Sequence, residues 1–196
     1  MSVVVKLLFY FVILFLCLTA NHANAIKIAA IVNDDVVTDV DVYDFERILC
    51  KLDKRFTCGS QDSLQVALMT LIDSILRLEH FKQMKILEDK NIRIGFNEYK
   101  NGVIKNIHNS NARTSKIFED YLLSEYIWNI MMSSQAQMIR IQDDEIEEYK
   151  KYNNLLNKSN EEIKSLIFRE KMNNIAQSTM SEIKKFYLVE IKGLQE

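Results

Sequence analysis

The sequence predicts a mainly helical fold, a multi-helix core with a small antiparallel sheet formed by the N-terminal strands and a C-terminal strand. The chain has no proline and only 4 glycines in 196 residues, which favours long helices because these two residue types interrupt regular structure. Apolar residues recur at helical spacing through the middle of the chain, and short extended stretches stand near both ends.

The first 25 residues have the pattern of a secretory signal peptide. Lys6 precedes the apolar run Leu7–Leu18, and the segment ends in the small-x-small pattern Ala23-Asn24-Ala25. We expect cleavage after Ala25 and export to the periplasm, which leaves residues 26–196 as one domain. A retained membrane anchor is the alternative, although a spanning helix needs about 20 apolar residues. After cleavage we expect no stable membrane insertion.

Charge and cysteine content narrow the classes of protein that fit. The chain has 25 basic and 27 acidic residues, and this balance gives no support to nucleic-acid binding, which usually needs a basic face. Cys50 and Cys58 remain after cleavage. Because exported proteins meet oxidising conditions, we expect these two cysteines to form a disulfide. Two free, partly buried thiols are the alternative.

The N-terminal part of the domain predicts two short strands and a helix. Ile28–Val32 is a continuous apolar run, a turn signal follows it, and Val36-Val37 resumes extended character. Thr38 has the character of an N-cap, with Asp41 as the acidic partner of a capping box. The first helix is therefore expected from about Asp39 to Lys51.

The middle of the chain predicts three further helices. The second, capped by Asp62 or Ser63, runs to about Asp89, and the third covers about Asn97 to Ile107. A polar loop follows over 108–113. Thr114 or Ser115 then caps a fourth helix, which continues or bends through Tyr126–Met132.

The C-terminal part predicts two more helices and a strand. Asp143 and Asp144 open a short helix, which ends at the polar break Asn153–Asn160. Ser159 and Glu162 match the capping box of a last helix that runs to about Lys185. The alternating stretch Tyr187–Lys192 predicts a strand. Since an isolated hairpin is only marginally stable, we expect this strand to pair with the N-terminal ones.

The order of these segments carries a family resemblance. Ile28–Val42 opens the domain, Arg140–Ile146 contains a Glu-Ile pair at a helix start, and Ser181–Lys192 closes it with a helix and a short strand. Together they resemble the chaperone core of SurA-type periplasmic chaperones. Within the opening segment the matching positions are Ala30, Val32, Asn33, Val36, Val37, Thr38 and Asp41.

The chain departs from that family in one large respect. SurA-type chaperones carry parvulin-type prolyl isomerase domains between the Glu-Ile helix and the last helix, where this chain has only Tyr152–Ser159. A domain needs at least about 50 residues, so no isomerase domain is expected there. Gly95 also stands where the family often has an N-cap residue.

The resemblance implies an ATP-independent holdase that binds unfolded outer-membrane proteins through an apolar groove, without a cofactor. The alternative is a partner-specific interaction or scaffold module of the same fold in the envelope. An enzyme is the weakest hypothesis, because the sequence has no H-E-x-x-H, no G-x-S-x-G and no P-loop. We therefore expect no catalytic, cofactor-binding or metal-binding residues.

One segment is the candidate binding surface for polypeptides. Its apolar residues surround a helix almost completely, and it is rich in methionine, whose flexible side chain suits adaptable binding. Each of these residues could instead belong to the core. The candidates are Tyr126, Trp128, Ile130, Met131, Met132 and Met138.

Overall fold

The computed structural model of the chain describes residues 26–53, 57–104 and 112–194. The expected signal segment 1–25 and its cleavage point after Ala25 lie outside the described residues. So does 105–111, which includes most of the loop expected over 108–113. The described part contains 6 α-helices and a 3-stranded antiparallel sheet, so the predicted fold class is confirmed.

The sheet joins the two ends of the described chain. Its strands are β1 (Ile28–Val32), β2 (Asp35–Thr38) and β3 (Val189–Ile191), arranged in the order β2-β1-β3. Asn33, with a φ of 51°, makes the left-handed turn between the first two strands. The predicted pairing of N-terminal and C-terminal strands is therefore confirmed, although β3 is shorter than the alternating stretch Tyr187–Lys192.

The first helix, α1 (Asp39–Leu52), begins as the sequence predicts. The hydroxyl of Thr38 accepts a hydrogen bond from the Asp41 N–H at 3.2 Å, and the Thr38 N–H donates to the Asp41 carboxylate at 2.9 Å. These reciprocal bonds form a capping box, which satisfies two backbone donors at the helix start. Buried Val42 and Phe45 then place α1 against the main core.

The second helix, α2 (Gln61–Gln83), differs from its prediction at both ends. Its N-cap is Ser60, whose hydroxyl accepts from the Ser63 N–H at 3.1 Å, whereas Asp62 and Ser63 lie inside the helix. It ends before the predicted Asp89 because Lys85 adopts a left-handed φ of 57°. A 3₁₀ turn at Ile86–Glu88 follows.

The next two helices form the other side of the main core. The third, α3 (Lys90–Ile104), starts before the predicted Asn97 and includes Gly95. The fourth, α4 (Ala112–Met138), is one helix of 27 residues. Thr114, expected as its cap, lies inside α4, and its hydroxyl donates to Asp44 of α1 at 2.8 Å. Ser115 also lies inside α4.

The last two helices build a second, smaller core. They are α5 (Asp143–Tyr152) and α6 (Asn160–Lys184), and the predicted capping box of Ser159 and Glu162 is present. Ile146 of α5 packs with Ile163 and Ile167 of α6 in this smaller core. The other end of α6 joins the main core, so this helix connects the two clusters.

The main core lies where α1 and α2 meet the sheet and α4 packs against these two helices. Its largest fully buried side chains include Phe45, Leu68, Ile72 and Phe81, and the sheet contributes Ala30, Val32 and Val37. Across 26–53, 57–104 and 112–194, no helix is both long enough and apolar enough to cross a membrane.

A disulfide connects α1 to the segment before α2. The Cα atoms of Cys50 and Cys58 are 6.1 Å apart, within the range that a disulfide bridges, so the expected pairing is present. Beside it, the buried carboxylate of Glu46 accepts hydrogen bonds from the Gly59 N–H at 2.7 Å and from the Ser63 hydroxyl. This segment is therefore fastened to α1 by a covalent bond and by a buried polar contact.

Candidate functional site

The six residues predicted to bind polypeptides lie on α4 but do not share one surface. Trp128 and Met132 are each 8% exposed and belong to the main core, which is the alternative that the sequence left open. Tyr126 and Met131 are partly buried against that core. The two exposed members are Ile130 at 41% and Met138 at 63%.

The position of Trp128 is explained by its neighbour on α2. The guanidinium of Arg77 lies 4.3 Å from the centre of the Trp128 ring, and the same guanidinium forms an ion pair with Glu125 of α4. A cation over an aromatic face is attracted by the negative face of the ring. Arg77 therefore covers one face of Trp128 and joins α2 to α4.

A groove between α3 and α4 contains two of the predicted residues, and we call it the tyrosine groove. The ring centres of Tyr99 and Tyr126 are 5.5 Å apart, and those of Phe96 and Tyr126 are 6.0 Å apart. The groove has a volume of about 510 Å³ and is lined by Tyr99, Tyr126, Asn129, Ile130, Ser133, Ser134 and Gln137.

Gly95 allows Tyr126 to take its place in this groove. A Cβ atom built on Gly95 would lie 2.0 Å from the Tyr126 hydroxyl oxygen, a distance that real contacts do not reach. The tyrosine ring therefore rests against the backbone of α3. The resemblance placed Gly95 near a helix start, whereas the structure uses its missing side chain for this close approach.

A second groove, which we call the strand cleft, lies between β2, α2 and α4. It has a volume of about 460 Å³. Sequence reasoning did not find it, because its walls come from three segments that are far apart in the chain. Its apolar wall consists of Val37, Leu71, Ile75, Leu78 and Ile117.

An ion pair between Arg113 and Asp41 forms part of the lining of the strand cleft. The Arg113 Nε and Nη2 atoms each donate to the Asp41 carboxylate at 2.6 Å, and Nη2 also lies 3.3 Å from the Val36 carbonyl oxygen. The Asp41 side chain is 4% exposed, whereas that of Arg113 is 60% exposed. Such a two-pronged pair fixes geometry as well as charge.

The pKa of Asp41 is set by opposing effects. Burial is the largest single effect and opposes ionisation. The hydrogen bonds from Arg113 and from the backbone and hydroxyl of Thr38, together with the nearby positive charge, outweigh burial and lower the pKa of Asp41 below its ordinary value. Asp41 is therefore an ionised structural carboxylate near neutral pH, rather than a group that exchanges protons there.

The remaining charges of the strand cleft leave an acidic surplus at one end. Lys116 pairs with Asp120 at 2.8 Å, and Lys82 pairs with Glu79. Asp34 and Asp35, in the turn and at the start of β2, are exposed and form no ion pair within the described residues, although the charge of Asp35 contributes to the raised pKa of Lys116. This end of the cleft is therefore complementary to a basic group.

The described part of the chain shows no arrangement typical of a metal centre: within 26–53, 57–104 and 112–194 no three His, Cys, Asp or Glu side chains converge to hold an ion. No protein-family model matches the chain, and no curated protein is significantly similar to it. The functional interpretation therefore depends on the two grooves and their chemistry.

Proposed function

We propose that the chain is an ATP-independent holdase of the periplasm that binds unfolded outer-membrane proteins. The observation that carries this proposal is that α4 is bordered by two grooves of mixed apolar and polar lining, the tyrosine groove and the strand cleft. Two separate grooves on one helix suit weak contacts with several segments of one unfolded chain. A holdase needs no chemistry beyond such binding, because it lowers the concentration of free unfolded protein.

The tyrosine groove has the composition of an adaptable binding surface. Tyr99 is 37% exposed and Ile130 is 41% exposed, so both offer apolar surface to a partner. Tyrosine combines a large contact area with a polar hydroxyl and loses little conformational entropy on binding. Ser133, Ser134 and Gln137 add hydrogen-bonding groups along the same groove. This combination favours binding of varied aromatic-rich segments over one fixed ligand.

The proposal is tested by direct binding to a client. The exported chain, meaning residues 26–196, is titrated into a fluorescently labelled, urea-unfolded outer-membrane β-barrel protein diluted into buffer without nucleotide. We expect saturable binding. The double variant Tyr99→Ser/Ile130→Ser should bind about tenfold more weakly, because it removes two apolar contacts.

The matched control is Leu156→Ser, which removes a side chain that is 71% exposed between α5 and α6, away from both grooves. Its affinity should equal that of the unsubstituted chain. A folded exported chain that does not bind the unfolded client, yet captures one folded envelope protein, would contradict the holdase and favour the partner-specific module.

A further inference from the structure

We propose that the strand cleft captures an extended client segment by adding it as a further strand to the edge of β2 that no strand of the described residues pairs with. The client's identity rests on the proposed function, whereas the mode of binding follows from the geometry of the sheet. Three features carry the inference: the backbone groups of Val36, the alternation that the cleft imposes, and the acidic surplus at its end.

The hydrogen bonds between β1 and β3 determine which way the backbone of β1 points. The Lys192 N–H donates to the Ala29 carbonyl at 2.9 Å, and the Asn33 N–H donates to the Leu188 carbonyl at 2.9 Å. Backbone groups of a strand alternate between its two edges. Ile31, midway between Ala29 and Asn33 and opposite Glu190, therefore also directs its N–H and C=O toward β3.

The backbone of Val36 consequently points away from the sheet. Val36 stands opposite Ile31, and since Ile31 directs its backbone groups toward β3, Ile31 and Val36 exchange no backbone hydrogen bonds with each other. The 3.3 Å contact from Arg113 to the Val36 carbonyl shows that this edge faces the strand cleft. Among the residues that the structure describes, the Val36 N–H and the second lone pair of its carbonyl have no partner, so they are available to an incoming strand.

The cleft would select segments in which apolar and polar residues alternate along the chain. In a sheet, residues directly opposite one another point to the same face. A client residue opposite Val37 would share its face and lie against the apolar wall near Ile75 and Ile117. A client residue opposite Val36, which is 44% exposed, would point to solvent. The membrane strands of outer-membrane barrels alternate between apolar and polar residues in this way.

The acidic surplus adds a preference for a client segment with a basic residue and for one strand direction. An antiparallel client strand would place its C-terminal side beside Asp35 and Asp34, which have no ion pair within the described residues. Opposite charges on facing strand positions are favourable. The preferred occupant is therefore an alternating segment with Lys or Arg toward its C-terminal end.

The test uses short labelled peptides and the exported chain. One peptide alternates apolar and polar residues and carries a C-terminal lysine, and a second has the same composition arranged in blocks. Two further versions of the first peptide carry N-methyl groups on alternate backbone amides, in one register or in the other. We expect the alternating peptide to bind best, and only one N-methyl register to weaken its binding, by about fivefold to tenfold.

Two variants of the protein test the same edge of β2 by changing the protein instead of the peptide. Val36→Pro removes the N–H that faces the cleft, and proline is tolerated at a sheet edge. Ile191→Pro is the matched control: Ile191 adjoins Glu190, which bonds to β1, so its N–H points outward at the opposite edge. We expect Val36→Pro alone to weaken peptide binding, by about fivefold or more.

Several results would overturn the inference. They are equal binding of both N-methyl peptides, no binding of any peptide, or unchanged binding by a folded Val36→Pro variant. If Val36→Pro does not fold, the binding of the two N-methyl peptides to the unsubstituted chain decides whether the inference holds. A dimer lost in Val36→Pro without peptide binding would show that a second copy occupies the edge.

The two proposals fail in different ways. If the unfolded barrel protein binds but backbone methylation has no effect in either register, strand addition is wrong and the holdase stands. If peptides bind with the expected register dependence but the unfolded barrel protein does not, the holdase is wrong and strand addition stands.

Discussion

The guanidinium of Arg113 and the carboxylate of Asp41, 72 residues apart in the chain, meet in two hydrogen bonds of 2.6 Å each. Asp41 also completes the capping box of α1 through Thr38. One carboxylate therefore connects the end of β2, the start of α1 and the start of α4. Because Thr38, Asp41 and Arg113 all line the strand cleft, the pair positions the cleft as well as stabilising the fold.

Removing the cation of this pair should destabilise the protein. In Arg113→Ala the buried Asp41 carboxylate keeps only its bonds to Thr38, and we expect the free energy of unfolding to fall by about 1–3 kcal/mol. The value lies below that of a fully buried pair because Arg113 is 60% exposed. Urea unfolding of the purified variant measures the change.

The control for this variant is Arg47→Ala. Arg47 is 74% exposed and pairs with Asp44 at 3.3 Å on the surface of α1. Exposed pairs of this kind contribute about 0–1 kcal/mol. Equal effects of the two substitutions would contradict the structural role given to Arg113.

The stabilising effect of Asp41 should depend on pH. Since its pKa is lower in the folded chain, its ionised form contributes stability above the unfolded pKa of about 3.9, and that contribution is lost as the pH falls through the folded pKa. The unfolding free energy of the unsubstituted chain should exceed that of Asp41→Asn by a constant amount from about pH 7 to pH 5.

Below about pH 4 that difference should shrink, because the unsubstituted chain then loses the ionised carboxylate as well. Chemical unfolding of both proteins across this range measures the difference. A gap that stays constant down to about pH 2 would contradict the lowered pKa of Asp41.

Two glycines of α3 should respond in opposite directions to the same substitution. Gly95→Ala places a Cβ atom against the Tyr126 hydroxyl, and overpacking of this kind costs about 1–3 kcal/mol. Around Gly102 the described residues beyond its chain neighbours and its own helical backbone place no atom within 4 Å of the added Cβ, so Gly102→Ala should stabilise the helix by about 0.5–1 kcal/mol. Thermal unfolding of the two variants should show a lower melting temperature for Gly95→Ala and a higher one for Gly102→Ala.

The Tyr126 hydroxyl causes the predicted loss of stability in Gly95→Ala, so removing this hydroxyl should restore part of the free energy of unfolding. Adding Tyr126→Phe to Gly95→Ala deletes the oxygen at 2.0 Å and leaves a ring carbon at 3.2 Å. Partial recovery is expected in the double variant. No recovery would place the clash elsewhere.

The disulfide between Cys50 and Cys58 should stabilise the chain modestly. It closes a loop with a sequence separation of 8 residues, for which the restriction of the unfolded chain is worth about 2–3 kcal/mol. Urea unfolding with and without reductant measures the effect, and Cys50→Ser/Cys58→Ser should match the reduced chain. Equal stability of the oxidised and reduced chains would contradict this prediction.

Local signals in the sequence predicted the starts of α1 and α6 correctly. Thr38 with Asp41, and Ser159 with Glu162, form the capping boxes that their spacing indicates, because a cap depends on residues within one helical turn. The end of α2 was not predictable in this way. Lys85 adopts a left-handed φ of 57° with neither glycine nor asparagine at that position to signal it.

The candidate site was harder to predict because it depends on contacts between distant segments. The apolar residues of α4 surround the helix, and only the packing of α2 decides that Trp128 is covered by Arg77 while Ile130 stays exposed. The strand cleft brings β2, α2 and α4 together. The periodicity of a single segment shows that a face is apolar, but not which element covers it.

The most direct test of the central claim is the suppression of aggregation without nucleotide. The oxidised chain of residues 26–196 is mixed at near-equal molar ratio with an unfolded outer-membrane β-barrel protein, and light scattering follows aggregation after denaturant is diluted. The holdase account predicts that scattering falls with chain concentration and that Tyr99→Ser/Ile130→Ser suppresses it less than Leu156→Ser. Undiminished aggregation in the presence of a folded, oxidised chain would contradict the account.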